Sequence, residues 1–247
     1  MIKEWNELPD FIRVPEVRPY YDALRRKRLA LAAKRVFDFI AALLLLLLLA
    51  VPMLIIAVWI KLDSPGEIMY RQDRVTTYGR RFKIHKFRTM VSGADRTGAA
   101  LTVQNDARVT KAGRLLRRLR LDELPQLFDV LGGSMSFVGT RPEAVRYVEQ
   151  YKPEYRATLL LPAGITSEAS IRFLHEEELL SAAEDVDRIY MEEILPEKMR
   201  WNLESIERFG LMRDVKILLH TIGAVFGGKR RSAASEQSPV QTEVKIS

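Results

Sequence analysis

The feature that most constrains this fold is an apolar segment near the N-terminus, from Phe39 to Ile60, that contains no charged residue. As a helix the segment is about 33 Å long, which matches a bilayer hydrocarbon core of about 30 Å. It begins too late in the chain for a signal peptide and lacks a small-residue cleavage site. The sequence therefore predicts a helix embedded in a membrane, and a plain transmembrane helix is the simplest form.

Pro52 and the flanking charges favour a different path through the bilayer. A proline in the middle of a helix removes a backbone hydrogen bond and kinks the chain. Basic residues lie on both sides of the segment, Arg35 before it and Lys61 after it, and basic flanks prefer the cytoplasmic face. A re-entrant helix that bends at Pro52 satisfies both flanks. We therefore predict this topology in the inner (cytoplasmic) membrane, with the rest of the protein facing the cytoplasm.

Net charge restricts the partners. The chain has a formal net charge of +7, which indicates an anionic partner such as nucleic acid, anionic lipid or a phosphorylated substrate. A basic helix predicted from Pro19 ends directly before the apolar segment, which is typical of contact with anionic membrane lipids. Nucleic acid is not expected as a partner, because no aromatic stacking platform or groove-reading motif accompanies the charge.

The metal-ligating residues are few. The chain contains no cysteine, which excludes disulfides and thiolate metal sites, and its three histidines are far apart in the sequence. Any metal ion should therefore be a hard cation bound by carboxylates, with Mg²⁺ the first choice.

A second stretch, residues 114–143, carries the candidate chemistry around the adjacent acids Asp122 and Glu123. In one interpretation Asp122 is the N-cap of a helix that continues E-L-P-Q-L-F-D-V-L, and the nearby arginines form a solvated face. In the other, an ionised aspartate at a helix N-terminus is a nucleophile toward phosphorus. A divalent cation on the second carboxylate, together with the arginines, would then neutralise a phosphorylated substrate.

The run L-D-E-L-P-Q-L-F-D-V-L-G-G-S-M-S-F-V-G-T-R-P-E, from Leu121 to Glu143, resembles the monotopic phosphoglycosyl transferases, a family of bacterial sugar transferases. The resemblance extends over roughly residues 34–225. It implies transfer of a sugar 1-phosphate from a UDP-sugar to a polyprenyl phosphate, such as undecaprenyl phosphate, with release of UMP. Such a reaction is the first membrane step of glycoconjugate or exopolysaccharide synthesis. The resemblance is also compatible with a homodimer.

The resemblance also implies residue roles. Asp122 would attack the β-phosphate and carry an aspartyl-phosphosugar, while Glu123 would hold Mg²⁺ on the diphosphate. Arg117 and Arg141 match phosphate-contacting positions. Lys86 and Arg88, both in K-F-R-T-M, are expected to face the substrate. Asp187 matches a position near the active site, although an ordinary acid on a helix surface is an equal alternative.

Three residues depart from the family pattern. Val51 replaces the usual serine before the proline of the bend, so a hydroxyl that could satisfy freed backbone groups is absent. Thr140 replaces a proline beside Arg141, and Asp129 replaces an asparagine and adds a negative charge near the site. Neither Thr140 nor Asp129 removes a group that the chemistry needs.

The expected fold is α-dominated α+β, with a re-entrant membrane helix and a small cytoplasmic catalytic domain that contains a short β-hairpin and interfacial helices. The hairpin is predicted from I-M-Y-R-Q-D-R-V and R-R-F-K-I-H-K-F. The divisions are an N-terminal arm and juxtamembrane helix (1–33), the re-entrant helix (34–62), the catalytic domain (63–228) and a disordered tail (229–247). The rival from another functional class is a catalytically silent, membrane-anchored basic module that binds or scaffolds a polysaccharide assembly complex.

Overall fold

The computed structural model describes residues 2–94, 106–174, 176, 180 and 185–226, and the predicted tail at 229–247 lies outside them. The fold is rich in helix, as expected. The helices are α1 (Arg18–Arg25), α2 (Arg28–Asp63), α3 (Lys111–Arg118), α4 (Gln126–Leu131), α5 (Val145–Val148), α6 (Glu168–Arg172), α7 (Val186–Ile189), α8 (Leu195–Glu207) and α9 (Leu211–Phe226). The strands are β1 (Met69–Val75), β2 (Arg81–Phe87), β3 (Met135–Val138) and β4 (Ala163–Thr166).

The predicted hairpin is confirmed. Strands β1 and β2 pair antiparallel, with Met69 opposite Phe87 and Val75 opposite Arg81. The strands are joined by a short 3₁₀ turn, Thr77–Gly79, in which Tyr78 and Gly79 have positive φ. In the first half of β2 the buried Phe82 and Ile84 alternate with the exposed Arg81 and Lys83, because successive side chains of a strand point to opposite faces. The strand thus has one face in the core.

A second, parallel pair of strands was not predicted, since the sequence after Glu143 indicated mainly helices. Strand β4 pairs with β3, Met135 lying opposite Ala163. The close approach of β4 to the residues after β3 requires glycine: a Cβ on Gly164, within β4, would lie 2.2 Å from the backbone nitrogen of Gly139. Gly164 also donates a backbone hydrogen bond to the carbonyl of Thr140. This pair fixes the backbone on which Arg141 stands.

Helix α2 runs without interruption through the apolar segment and through Pro52. One face packs on the rest of the protein, with Ala42, Met53 and Ile60 buried against residues of β2, α3 and α4. The other face exposes large apolar side chains along its whole length: Leu29, Val36, Phe39, Ile40, Leu43, Leu44, Leu47, Leu48, Val51, Leu54, Ile55, Val58, Trp59 and Leu62. Within the described ranges, α2 is the one helix long and apolar enough to cross a membrane, judged by length and composition.

The segments before and after α2 share one hydrophobic core. Ile12, Tyr21 and Leu24 of the N-terminal segment are fully buried, and they belong to the same cluster as Tyr190 and Met199 from the C-terminal half. The first part of the predicted N-terminal arm, residues 2–18, thus contributes to the core and contains two 3₁₀ turns, at Trp5–Glu7 and Pro15–Val17. Both ends of α2 therefore join the same globular body.

The basic cluster directly before the apolar segment, predicted to contact anionic lipid, includes Lys34 and Arg35, and both are instead engaged within the protein. Lys34 is buried and pairs with Asp214 of α9 at 2.5 Å. Arg35 donates to the carbonyls of Val130 and Leu131 at 2.7 and 2.9 Å, where α4 ends and carbonyl groups lack helical partners. These residues hold α2 onto the domain, which corrects the sequence interpretation of the cluster.

Candidate active site

The acid pair lies in a tight 3₁₀ turn, Leu121–Glu123, between α3 and α4, and both acids are buried. Arg120, directly before the turn, has φ 56° and ψ 21°, a left-handed conformation that costs a non-glycine residue about 1–3 kcal/mol. The turn is followed by α4. The N-cap residue of this helix is Pro125, and no side chain caps its N-terminus. The interpretation of Asp122 as a helix N-cap is therefore wrong.

Glu123 is held by two cations. Lys86 of β2 donates to its Oε1 at 3.1 Å, and the Arg141 guanidinium bonds both oxygens, reaching Oε2 at 3.3 Å. Burial raises the pKa of Glu123, but Arg141 and Lys86 outweigh burial and hold the pKa well below its usual range. In turn Glu123 raises the pKa of Arg141. Glu123 is thus a fixed anion.

Asp122 differs from its neighbour because its Oδ1 is buried and has no hydrogen-bond partner. Burial raises the pKa of Asp122, and the charges of Lys86, Arg117 and Arg120 oppose that rise without cancelling it. The sequence argument, in which a helix N-terminus favours the ionised carboxylate, is therefore corrected: the groups that favour it are nearby side-chain cations, and they act against burial. A buried oxygen without a partner is costly, and such groups mark sites of function.

Two of the predicted phosphate-contacting residues come close to the pair. Arg141 follows β3, and its side chain also donates to the carbonyl of Ile165 in β4 at 3.4 Å, so the parallel strands position it. Arg117 lies in the last turn of α3 and is close enough for its charge to lower the pKa of Asp122. Strand β4 is therefore part of the framework that holds the site.

Arg88 is not brought to the carboxylate pair. Its buried guanidinium donates to the carbonyls of Ile60, Ser64 and Pro65, at the C-terminal end of α2. Ile60 also accepts from the backbone N–H of Ser64, and Pro65 from the Ser92 hydroxyl, whereas Arg88 is the described donor to Ser64. A cation at this end also complements the helix dipole. The expectation that Arg88 faces substrate is corrected: the residue caps the long helix and ties it to β2.

Asp187 also lies apart from the pair. Its half-exposed carboxylate accepts hydrogen bonds from Arg146 at 2.7 Å and from the Tyr147 hydroxyl at 2.6 Å. The Tyr147 ring packs on that of Tyr190, with ring centroids 4.9 Å apart. Burial, followed by the hydrogen bond to Asp187, raises the pKa of Tyr147. Asp187 therefore supports the tyrosines behind the site, and the structure shows no direct contact with Asp122 or Glu123.

Asp129 is fully committed to β2. Its carboxylate accepts from the backbone N–H of His85 at 3.0 Å and pairs with His85 Nδ1 at 2.8 Å. The Asp129 carboxylate is bonded to β2, the strand that also carries Lys86, so Asp129 helps to position that lysine.

A buried ionic network beside Arg141 was missed by the sequence argument. Lys198 of α8 lies 3.1 Å from Glu176 and 3.6 Å from Glu143, and it donates to the Tyr190 hydroxyl at 3.1 Å. Tyr190 in turn donates to Glu143 at 2.6 Å. The sequence offers no signal for this cluster beyond the position of Glu143 at the end of the Arg141 motif, because the partners are far apart along the chain.

The donor chemistry of the pair fits Mg²⁺. A carboxylate has about four lone-pair positions, and Glu123 uses three of them for Lys86 and Arg141, so one remains. The orphaned Oδ1 of Asp122 is a second hard oxygen. Over the described ranges no group of three or more acidic or histidine side chains could hold a metal ion. A Mg²⁺ site of one or two carboxylates completed by substrate phosphates does not need such a group.

A cavity of about 370 Å³ lies beside Glu123. Its charged lining comprises Glu123, Arg141, Glu176, Lys198 and Arg120. Its remaining lining is mostly apolar and comes from α2, α4, α6, α9 and the segments between them. A cavity with apolar walls and a few convergent charged groups is the usual form of a ligand site.

Residues 29–228 match the family model described as bacterial sugar transferase. A UDP-N-acetylgalactosamine-undecaprenyl-phosphate N-acetylgalactosaminephosphotransferase of Aeromonas hydrophila is 37% identical over 198 residues, 79% of this chain and 44% of that protein. A UDP-glucose:undecaprenyl-phosphate glucose-1-phosphate transferase of Caulobacter vibrioides is 39% identical over 192 residues, 76% of this chain and 68% of that protein.

A third relative is of similar size to the matched region. The exopolysaccharide production protein PSS of Rhizobium leguminosarum bv. phaseoli is 36% identical over 203 residues, 78% of this chain and 94% of that protein. The chain thus spans less than half of the Aeromonas relative and nearly all of the Rhizobium one.

Proposed function

We propose, because this chain belongs to the bacterial sugar transferase family, that it transfers a sugar 1-phosphate from a UDP-sugar to a polyprenyl phosphate. The names of the Aeromonas and Caulobacter relatives describe this type of reaction with undecaprenyl phosphate. One observation carries the proposal. In the buried pair, Glu123 is fixed by Lys86 and Arg141, whereas Asp122 keeps an oxygen without a hydrogen-bond partner.

In the first half-reaction the unpartnered oxygen of Asp122 attacks the β-phosphorus of the UDP-sugar. A bond forms between this oxygen and phosphorus, and the bond from phosphorus to the bridging oxygen breaks. UMP leaves with that oxygen and its electron pair, and the sugar phosphate stays on Asp122. Lys86, Arg117 and Arg141 provide the positive charge that an anionic nucleophile needs when it approaches a diphosphate.

In the second half-reaction a phosphate oxygen of the polyprenyl phosphate attacks the phosphorus on Asp122. The new diphosphate bond forms, the bond from phosphorus to the carboxylate oxygen breaks, and Asp122 is regenerated as an anion. No proton transfer is required at either step, because both nucleophiles are already anionic. The site needs no general base, which agrees with the lack of a histidine in contact with the pair among the described contacts.

Mg²⁺ would be held by Glu123, and when bound it would supply positive charge to the diphosphate of the donor. Lys86 and Arg141 orient the Glu123 carboxylate for that purpose and keep it ionised. Glu123→Gln keeps the shape of the side chain but removes the charge, so most activity should be lost.

The same proposal includes the re-entrant topology of α2 and a cytoplasmic catalytic domain. It is supported by the core that the segments before and after α2 share, since a spanning helix would place those segments on opposite sides of the bilayer. The exposed apolar face of α2 would then contact lipid. Single cysteines at Glu16 and Lys111 should both react from the cytoplasmic side only, whereas labelling from opposite sides would establish a spanning helix.

The nucleophile is tested by incubating wild-type protein with UDP-sugar and Mg²⁺ but without acceptor. UMP should be released, and the protein should gain the mass of one sugar phosphate on Asp122. Asp122→Asn keeps the size of the side chain and removes the attacking anion, so it should fold and release no UMP. Transfer without the added mass would indicate direct displacement and contradict the covalent role of Asp122.

The rival hypothesis, a silent membrane-anchored scaffold, makes the opposite prediction. It requires the positive charge of the domain but gives no reason for a buried acid pair with an unpartnered oxygen. Screening several UDP-sugars for UMP release from detergent-solubilised protein decides between the two, because a scaffold releases UMP from none of them.

A further inference from the structure

The lining of the cavity beside Glu123 combines two kinds of side chain. Leu45 and Leu49 of α2 and Phe173 belong to it, so much of the surface is apolar. Glu176 and Lys198 provide charged groups on the lining. A space of this kind suits a ligand that joins a long apolar chain to an anionic head.

The apolar wall is continuous with surface that the protein leaves exposed. On α2, Leu44 and Leu48 are neighbours of Leu45 and Leu49 and belong to the exposed apolar face. On α9, Ala224 lines the cavity while the nearby Ile222 is exposed. An apolar chain that rests on these helices could therefore place its head group in the cavity without crossing a polar surface.

Lys198 is held from two directions. Away from the cavity, the Tyr190 hydroxyl and the Glu143 carboxylate anchor its ammonium, and neither residue belongs to the cavity lining. On the cavity side it contacts the two oxygens of Glu176 at 3.1 and 3.5 Å. The ammonium has three donors, so one direction is left for an anion in the cavity, and Glu176 fills that direction.

We propose that Lys198 binds the phosphate of the polyprenyl acceptor and that Glu176 occupies the same position until the phosphate displaces it. This inference rests on the proposed function, and it assigns the acceptor head group to a residue outside the Asp122–Glu123 turn. Two carboxylate oxygens and two phosphate oxygens present similar acceptors to an ammonium, so one can replace the other. Glu143 and Tyr190 keep Lys198 in place during the exchange.

The test separates the two half-reactions in detergent-solubilised full-length protein. UMP release is measured with UDP-sugar alone, and the acceptor KM is measured with undecaprenyl phosphate in the complete reaction. Lys198→Met should raise the acceptor KM about tenfold or more, as expected for a lost hydrogen bond to a charged group. Glu176→Gln should lower it up to about fivefold, the range for a partly exposed ion pair. Lys83→Met, a matched change on an exposed lysine, should leave it unchanged.

The double variant provides a further control. If Glu176 acts only through Lys198, Glu176→Gln should no longer lower the acceptor KM in a Lys198→Met background. If Lys198→Met does not fold, the direction of the Glu176→Gln effect still decides. Normal UMP release with an unchanged or raised acceptor KM in Glu176→Gln overturns this inference alone, whereas wild-type protein that neither releases UMP nor transfers sugar phosphate overturns the proposed function.

Discussion

Replacing Arg141 by lysine is the sharpest test of the site, because the change keeps the charge and removes the geometry. The guanidinium bonds both oxygens of Glu123 and also reaches the Ile165 carbonyl. A lysine ammonium is a point charge and cannot form the parallel pair of bonds that the planar group makes. Oε1 of Glu123 keeps Lys86 as a partner in the variant, but Oε2 loses its described donor.

The expected loss of activity in Arg141→Lys follows from the hydrogen bond that Oε2 of Glu123 loses. One hydrogen bond to a charged group is lost, which costs about 1.5–3 kcal/mol. If the whole loss appears in the transition state, UMP release should slow about 10- to 150-fold. Arg141→Met removes the charge as well, and breaking a buried pair costs about 3–5 kcal/mol. We expect Arg141→Met to lower the free energy of unfolding by about 3 kcal/mol, the lower end of that range, because Arg141 is 31% exposed and Lys86 remains beside Glu123.

The assay is UMP release at saturating UDP-sugar, together with thermal unfolding of each variant. Arg81→Lys is the matched control, since Arg81 is 66% exposed and should tolerate the change without effect on either measurement. Wild-type rates in Arg141→Lys would refute the reasoning, because they would show that only the charge at this position matters. A rate loss that a stabilising osmolyte fully restores would place the role of Arg141 in folding.

Three further predictions concern other parts of the structure. Burial raises the pKa of Asp122, so a pH–rate profile of UMP release should fall toward low pH with a midpoint above the ordinary aspartate pKa of about 3.9. Lys86→Met should raise that midpoint further, because it removes a cation that stabilises the ionised carboxylate. Arg88→Met should lower the free energy of unfolding by about 1–3 kcal/mol, because the Ser64 carbonyl loses its described donor while Ile60 and Pro65 each keep one. The KM for UDP-sugar of the folded protein should stay unchanged. Gly164→Ala should lower the free energy of unfolding by about 3 kcal/mol or more and slow UMP release, because its Cβ would meet the Gly139 backbone that leads to Arg141. Chemical denaturation and UMP-release assays measure the two effects.

Local patterns in the sequence were sufficient for several features. The uninterrupted apolar segment required a long helix, and α2 contains all of it. The alternation in R-F-K-I-H-K-F required a half-buried strand, which β2 is. The pair Asp122–Glu123 and the following motif identified the family without any knowledge of contacts. Helix and strand periodicity are encoded by residues close together in the chain, so one sequence reveals them.

Tertiary structure decided which charges meet. Arg88 lies two residues from Lys86 in the sequence, yet it caps α2 while Lys86 bonds Glu123. Lys198 and Glu143 are far apart in the sequence and meet through the packing of α8 on the tyrosine cluster. Such contacts depend on how distant segments close together, and no local period carries that information. For the same reason, the sequence indicated a membrane helix with basic flanks, but only the fold showed that both flanks of α2 belong to one core.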